Sequence, residues 1–321
     1  MAVPIDVPFS PDLHMRLMLS IDRGQNVQQA VRAAVRPGMR VLDAGTGTGL
    51  LAMVALQAGA AEAVGVDRHH IDLAREIAAC NGYADRLTLV EADLTALELP
   101  GVPLEPKFDL LLALIHTNNP LLDEGRSRLV YELRDRFCAD DCTMVPSALR
   151  YSATGCDRTD WDLGTELHDV DDTARLLEGV YGVDFQPLVD RVRQGVAMGA
   201  CRPASATAPQ WRSPSTMASL RFPRTAVRML TETSEFVTFD YSAPRFPGFP
   251  GKVELQAVAP GRVSGVIWTQ ELLYLGHPLW TTEAFSPLAT PRMVAPGERL
   301  LIETGDEWRG TNVVRCYSQP M

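Results

Sequence analysis

The residues whose spacing carries the most chemistry are Asp43, Gly45, Gly47 and Gly49, in the run Asp43-Ala44-Gly45-Thr46-Gly47-Thr48-Gly49. An acid followed by three alternating glycines, set between an apolar strand pattern and an Ala-rich helical stretch, lets the backbone turn tightly and approach a bound molecule closely. The helix that follows adds its positive dipole end. A dinucleotide fingerprint would need glycine at position 50, where Leu50 stands, so the spacing speaks against a nicotinamide cofactor. Asp67 ends the next strand pattern, AVGVD, where a carboxylate can accept the two hydroxyls of a ribose; its other reading is as N-cap of the helix from Ile71. A second group, His116, Asp123 and Glu124, lies after a later strand pattern. There a histidine could act as a base near neutral pH and a carboxylate could hold a cationic acceptor. Equally, the histidine could be an exposed loop residue with no role, and paired acids often cap the next helix.

The elements that must position these residues alternate. Apolar residues at helical spacing over 25–36 stop at Pro37-Gly38, and MRVLDAG then reads as a short buried strand. A helix over 50–58, a strand over 63–66, a helix over 71–81, a strand over 87–90 and a strand over 108–114 follow. Such alternation predicts βαβ units and a parallel sheet. After Pro146 the pattern changes: 151–165 is polar, 166–196 has helical spacing, and ASLRFP, EFVTFDYS, KVELQAV, GRVSGVIW and ELLYL are short alternating runs of the antiparallel or barrel kind. The expected fold is α/β, a Rossmann-like domain over 1–147 and a β-barrel-like domain with a helical arm over 148–321. The stretch 202–216 reads as an exposed loop.

Composition excludes several classes. With 46% apolar and 22% charged residues in 321 positions, the chain is a folded protein large enough for two domains. Its net charge of −10 opposes binding to a phosphate backbone, so no nucleic-acid partner is expected. No apolar run is long enough to span a bilayer, and MAVPIDVPFSPDLH lacks the basic start and apolar core of a secretory signal; the cytoplasm is the expected location. The six cysteines are scattered, and Cys138 and Cys142 are at helical rather than zinc-knuckle spacing, so reduced thiols and no metal are expected.

The acid and Gly-x-Gly-x-Gly loop resemble the first motif of class I S-adenosylmethionine-dependent methyltransferases, and VLDAGTGTGLL, HMRLMLSIDR, the ELP of 98–100, GVYGVDF at 179–185 and GRVSGVIWTQEL are together similar to the protein arginine N-methyltransferases. That resemblance implies a cofactor site of Asp43, Gly45, Gly47, Gly49 and Asp67, with Asp93 or Thr95 toward the adenine and Arg23 toward the cofactor carboxylate. It also implies S-adenosyl-L-homocysteine as the product and a homodimer joined through the arm at about 166–196. One departure stands out. Of the two glutamates that clamp the target guanidinium in that family, the first aligns with Leu114, and the second is kept by Asp123 or Glu124. The Thr-His-Trp loop of the family has no clear counterpart before MVAPGERL, where SPLATPR stands. Half a clamp points to a small-molecule acceptor, with free L-arginine or a related guanidino metabolite of natural-product biosynthesis as the best single expectation. A carboxylate on that acceptor would need a cation, which Arg126, Arg128 or Arg150 could supply. The alternatives are an oxygen, carbon or amine acceptor with His116 as base, a true protein arginine methyltransferase, or a non-catalytic cofactor-binding partner.

Overall fold

In the computed structural model the described residues are 18, 19, 21–116, 120–158, 175, 227–303 and 315–318. The first half is a five-stranded, all-parallel sheet in the order β3-β2-β1-β4-β5. Its strands are β1 (Arg40–Ala44), β2 (Glu62–Asp67), β3 (Leu87–Glu91), β4 (Phe108–Leu112) and β5 (Cys138–Val145). Helices α1 (Ile21–Ala34), α2 (Leu50–Gln57), α3 (Ile71–Cys80) and α4 (Pro120–Phe137) connect and cover them.

Strand residues buried on both faces explain why the sheet is parallel and central. Val41, Ala63, Leu110 and Leu112 pack with Val27, Val31, Ala52, Ile71 and Ala74 of α1, α2 and α3. Leu42, Ala44, Val64, Val66 and Leu111 face the other way, toward Val130, Leu133 and Phe137 of α4. The order of strands reverses between β1 and β4, so the crevice beyond their carboxyl ends is the natural ligand position.

After Val145 and Pro146 the chain enters antiparallel sheet. The strands are β6 (Ala148–Arg158), β7 (Val227–Met229), β8 (Ser234–Asp240), β9 (Lys252–Gln256), β10 (Gly261–Tyr274), β11 (His277–Val294), β12 (Arg299–Glu303) and β13 (Arg315–Ser318). One sheet runs β11-β10-β6-β7 with β8 also on β6, and a second runs β13-β12-β9. Tyr151, Trp268 and Leu272 of this half share one apolar core with Leu42, Val64 and Leu133 of the parallel half.

Several expectations change. The polar stretch begun at 151 is the second part of an eleven-residue strand, β6, whose Leu149, Tyr151 and Ala153 are buried. GRVSGVIW and ELLYL form a single strand of 14 residues rather than two. Cys138 and Cys142 lie in β5, not at helical spacing, and Cys80, Cys138, Cys142, Cys156 and Cys316 are free thiols. The expected arm over 166–196, apart from helical Arg175, and the GVYGVDF, ASLRFP and 202–216 stretches fall outside the described residues. Among the described residues no helix is long and apolar enough to cross a membrane.

Candidate functional site

The glycine loop joins β1 to α2 at the point where the strand order reverses. Gly45, Gly47 and Gly49 all have positive φ, at 76°, 54° and 78°, a region that costs other residues about 1 kcal/mol or more. Gly45 has a second reason to be glycine: a Cβ there would come within 2.6 Å of Ile115 Cγ2 at the end of β4.

The loop amides are largely spent inside the chain. Gly45 and Thr46 both donate to the Val66 carbonyl, at 2.8 and 3.0 Å, and Gly47 donates to Asp67 Oδ2 at 3.0 Å. This is no cradle of free amides for a pyrophosphate. Asp67 thereby ties the loop to β2, and its Oδ1 accepts the His69 amide at 3.2 Å. The helix-cap reading of Asp67 does not hold, because the N-cap of α3 is His70. Each carboxylate oxygen still has lone-pair capacity for a hydroxyl.

Asp43 is buried beneath the loop, where its Oδ2 accepts the Thr46 hydroxyl at 2.7 Å and the Ala52 amide at 3.2 Å. Burial pushes its carboxyl up to about 6, against the pull of those two donors. Thr46 is a site residue the sequence did not single out. It stands over Gly65, where a Cβ would meet its Oγ1 at 2.7 Å.

Asp93 and Thr95 belong to one turn rather than competing for one role. Asp93 caps the short 3₁₀ helix Leu94–Ala96, accepting the Thr95 amide at 2.9 Å and the Thr95 hydroxyl at 2.7 Å, with Arg68 at 3.5 Å. Partial burial would raise its pKa, but the Thr95 donors and Arg68 outweigh that and hold it low. Arg23 lies on α1, its guanidinium 5.5 Å from the centre of the Trp280 ring on β11, while the Asn26 side chain donates to the Leu279 carbonyl at 3.4 Å. The start of β11 is therefore the part of the antiparallel half that meets α1. Burial lowers the Arg23 pKa.

The second group divides. Asp123, in the first turn of α4, is fully buried, and its Oδ2 accepts the Tyr151 hydroxyl and the Gln270 amide, each at 2.6 Å. Tyr151 and Gln270 are paired across β6 and β10, and the Gln270 amide also donates to the Tyr151 oxygen at 2.7 Å. Asp123 is thus a tie between α4 and the antiparallel sheet. Glu124 is partly exposed and ion-paired with Arg128 at 2.6 Å.

His116 follows Ile115 past the end of β4. Its Nε2 lies 2.6 Å from the Tyr241 hydroxyl, which is 3.0 Å from the Ser127 hydroxyl of α4. Its Nδ1 is buried with no partner. Burial, helped by Arg126, lowers the His116 pKa to about 3, so the imidazole is neutral at physiological pH and a poorer base than its residue type suggested. Trp268 is a core aromatic, buried with its indole N–H on Ser286 at 2.9 Å.

A positive-φ glycine loop, a buried acid under it, a carboxylate at the end of β2 and a polar turn after β3 all stand at the carboxyl ends of the first three parallel strands. The model of the ribosomal protein L11 methyltransferase (PrmA) family matches residues 25–120. Protein arginine N-methyltransferase 1 of Saccharomyces cerevisiae is 29% identical over 47% of the chain and 40% of its own length. The arginine N(omega)-methyltransferase of Streptomyces achromogenes is 30% identical over 44% of the chain and 39% of its own length. The chain thus spans about 40% of the length of these curated relatives. The Trypanosoma brucei PRMT1 enzyme-prozyme complex, solved with AdoHcy, superposes with a TM-score of 0.59 at 20% identity, covering 91% of this chain and 87% of that one. The chain has the protein arginine methyltransferase fold. That likeness extends across both halves, whereas the sequence matches are shorter.

Proposed function

We propose that the protein is an S-adenosylmethionine-dependent N-methyltransferase whose acceptor is the guanidino group of a small molecule, free L-arginine or a related metabolite. The observation that carries the cofactor assignment is the tie of Asp67 to the Gly47 amide, which fixes a carboxylate at the end of β2 against a glycine loop with no free-amide cradle. Gly45, Gly47 and Gly49 would face the methionyl part, Asp67 the ribose, the Asp93–Thr95 turn the adenine, and Arg23 the cofactor carboxylate. When bound, the cofactor supplies a sulfonium-activated methyl group. The chain's own task is alignment, because an in-line displacement depends on holding the acceptor nitrogen in register.

The small-acceptor reading is supported by the missing first clamp carboxylate at Leu114 and by the enclosure of Asp123, which leaves Glu124 as the partly exposed acid of the pair. It is supported also by the similarity to the Streptomyces arginine N(omega)-methyltransferase. A homodimer joined through the 166–196 segment and a cytoplasmic location complete the proposal.

The test is transfer of labelled methyl from S-adenosylmethionine, read by mass spectrometry, to a panel of free arginine, other guanidines, amines, phenolic acids and Arg-rich peptides. Label on a small guanidine is expected. Label on peptides alone would return the chain to protein substrates. Tight cofactor binding with no acceptor would make it a non-catalytic partner.

A further inference from the structure

Arg23 is a half-buried cation without a counter-ion. Burial lowers its pKa with no neighbouring charge acting against it. Among the described residues its guanidinium meets only the Trp280 ring, with Cζ 5.5 Å from the ring centre. A desolvated charge that lacks an anion is costly, and an aromatic face offsets only part of that cost. The ring supplies no acceptor oxygen, so the N–H donors of the guanidinium stay available to one.

The fold sets this pair at the carboxyl edge of the parallel sheet. Helix α1 spans 14 residues, roughly 21 Å. Its far end leads through Gly38, whose amide donates to the Gly59 carbonyl ahead of β2, into the start of β1. The helix therefore runs against the strands, and Arg23 in its first turn stands where they end. Val27, one turn on, shares an apolar cluster with Leu112 and Val145, the last residues of β4 and β5, and with Leu279. The antiparallel sheet arrives at the same level. Trp280 and Thr282 of β11 pair with Leu272 and Gln270 of β10, so they share one face, about 7 Å apart along the strand. Thr282 donates to Gln270 at 3.3 Å, and the Gln270 amide donates to Asp123 in the first turn of α4 at 2.6 Å. One face of β11 thus spans the carboxyl edge, reaching α4 through Thr282 and Gln270 and α1 through Trp280.

We infer that Trp280 is a positioning residue: it holds the Arg23 guanidinium at the carboxyl edge for the carboxylate of the cofactor, so that the antiparallel half takes part in cofactor binding. The inference rests on the proposed S-adenosylmethionine site, in which Arg23 receives that carboxylate, and adds the residue that keeps the cation in place. A ring fixes this long side chain without neutralising it. An acid at the same position would satisfy the guanidinium and leave nothing for the ligand.

The experiment is calorimetric titration with S-adenosyl-L-homocysteine and with S-adenosyl-3-thiopropylamine, the same molecule without its carboxylate. The wild type is expected to favour the first by roughly tenfold to a hundredfold, the scale of one or two hydrogen bonds to a charged group. Trp280→Leu, which fills the position without an aromatic face, should weaken S-adenosyl-L-homocysteine by about threefold to thirtyfold and leave the amine analogue bound as before. Trp280→Phe should keep most of the preference. Arg23→Ala should abolish it, and adding Trp280→Leu to Arg23→Ala should change it no further. A preference that survives Trp280→Leu unchanged overturns the inference. So does an equal loss for both ligands, which would make Trp280 a purely structural contact between β11 and α1. Trp280→Met carries the same comparison if Trp280→Leu does not fold. Equal binding of the two ligands by the wild type overturns the inference while the cofactor site stands, and binding of neither overturns the cofactor reading together with it.

Discussion

Asp43 shows how much of the site a single residue can reveal. Its place before three spaced glycines was legible, because only a strand-to-helix turn wants that pattern, but its state was not. In the folded chain burial lifts its pKa from the ordinary 3.8 to about 6, against the pull of the Thr46 hydroxyl and the Ala52 amide that it accepts. Between those two values the folded chain binds more protons than the unfolded one, so this group makes stability fall as pH rises from about 4 to about 6, and adds no further change above that. Asp43→Asn should remove that slope, a difference of about 3 kcal/mol across the window, measured by urea unfolding at a series of pH values. An identical slope in the variant would mean that Asp43 titrates normally. His116 was likewise visible as a residue type and opaque as an environment. The Tyr241 that holds it lies 125 positions away, and nothing in a local window links them.

At the scale of elements, α4 is the joint of the molecule. Its Asp123 ends on Tyr151 of β6 and Gln270 of β10, and its Ser127 on Tyr241 just past β8. Asp123→Ala would leave the Tyr151 hydroxyl buried without its acceptor and take one acceptor from the Gln270 amide, and should cost about 2–4 kcal/mol in urea unfolding. Asp123→Asn, which keeps one acceptor oxygen, should cost less. The alternating strands and helices of the first half were readable because their periods differ. Strand β6 was not: its Ser152, Thr154 and Gly155 look like loop residues, and only the pairing with β8 and β10 makes them strand. The single strand β10 was named as two runs, and the Gln270 between them is polar for a reason invisible in sequence, namely its bond to Asp123.

For the whole molecule, one apolar core runs from Leu42 and Val64 of the parallel sheet to Trp268 and Leu272 of the antiparallel one. Two halves that share a core should not melt apart. Differential scanning calorimetry should give a single transition whose calorimetric and van't Hoff enthalpies agree; two resolved peaks would mean that the halves fold independently. The two-part layout was legible from the change of pattern at Pro146, but the shared core was not, since it is built from residues on opposite sides of that boundary.

The hydrogen bonds of the glycine loop also bear on what the protein ignores. With the Gly45, Thr46 and Gly47 amides committed to Val66 and Asp67, and with the Asp43 and Asp67 carboxylates behind them, a nucleoside triphosphate finds neither the amide nest nor the positive field that its phosphates require. ATP shares the adenosine of the proposed cofactor, so it should compete poorly in a cofactor-displacement titration, its phosphates being disfavoured by the loop backbone itself.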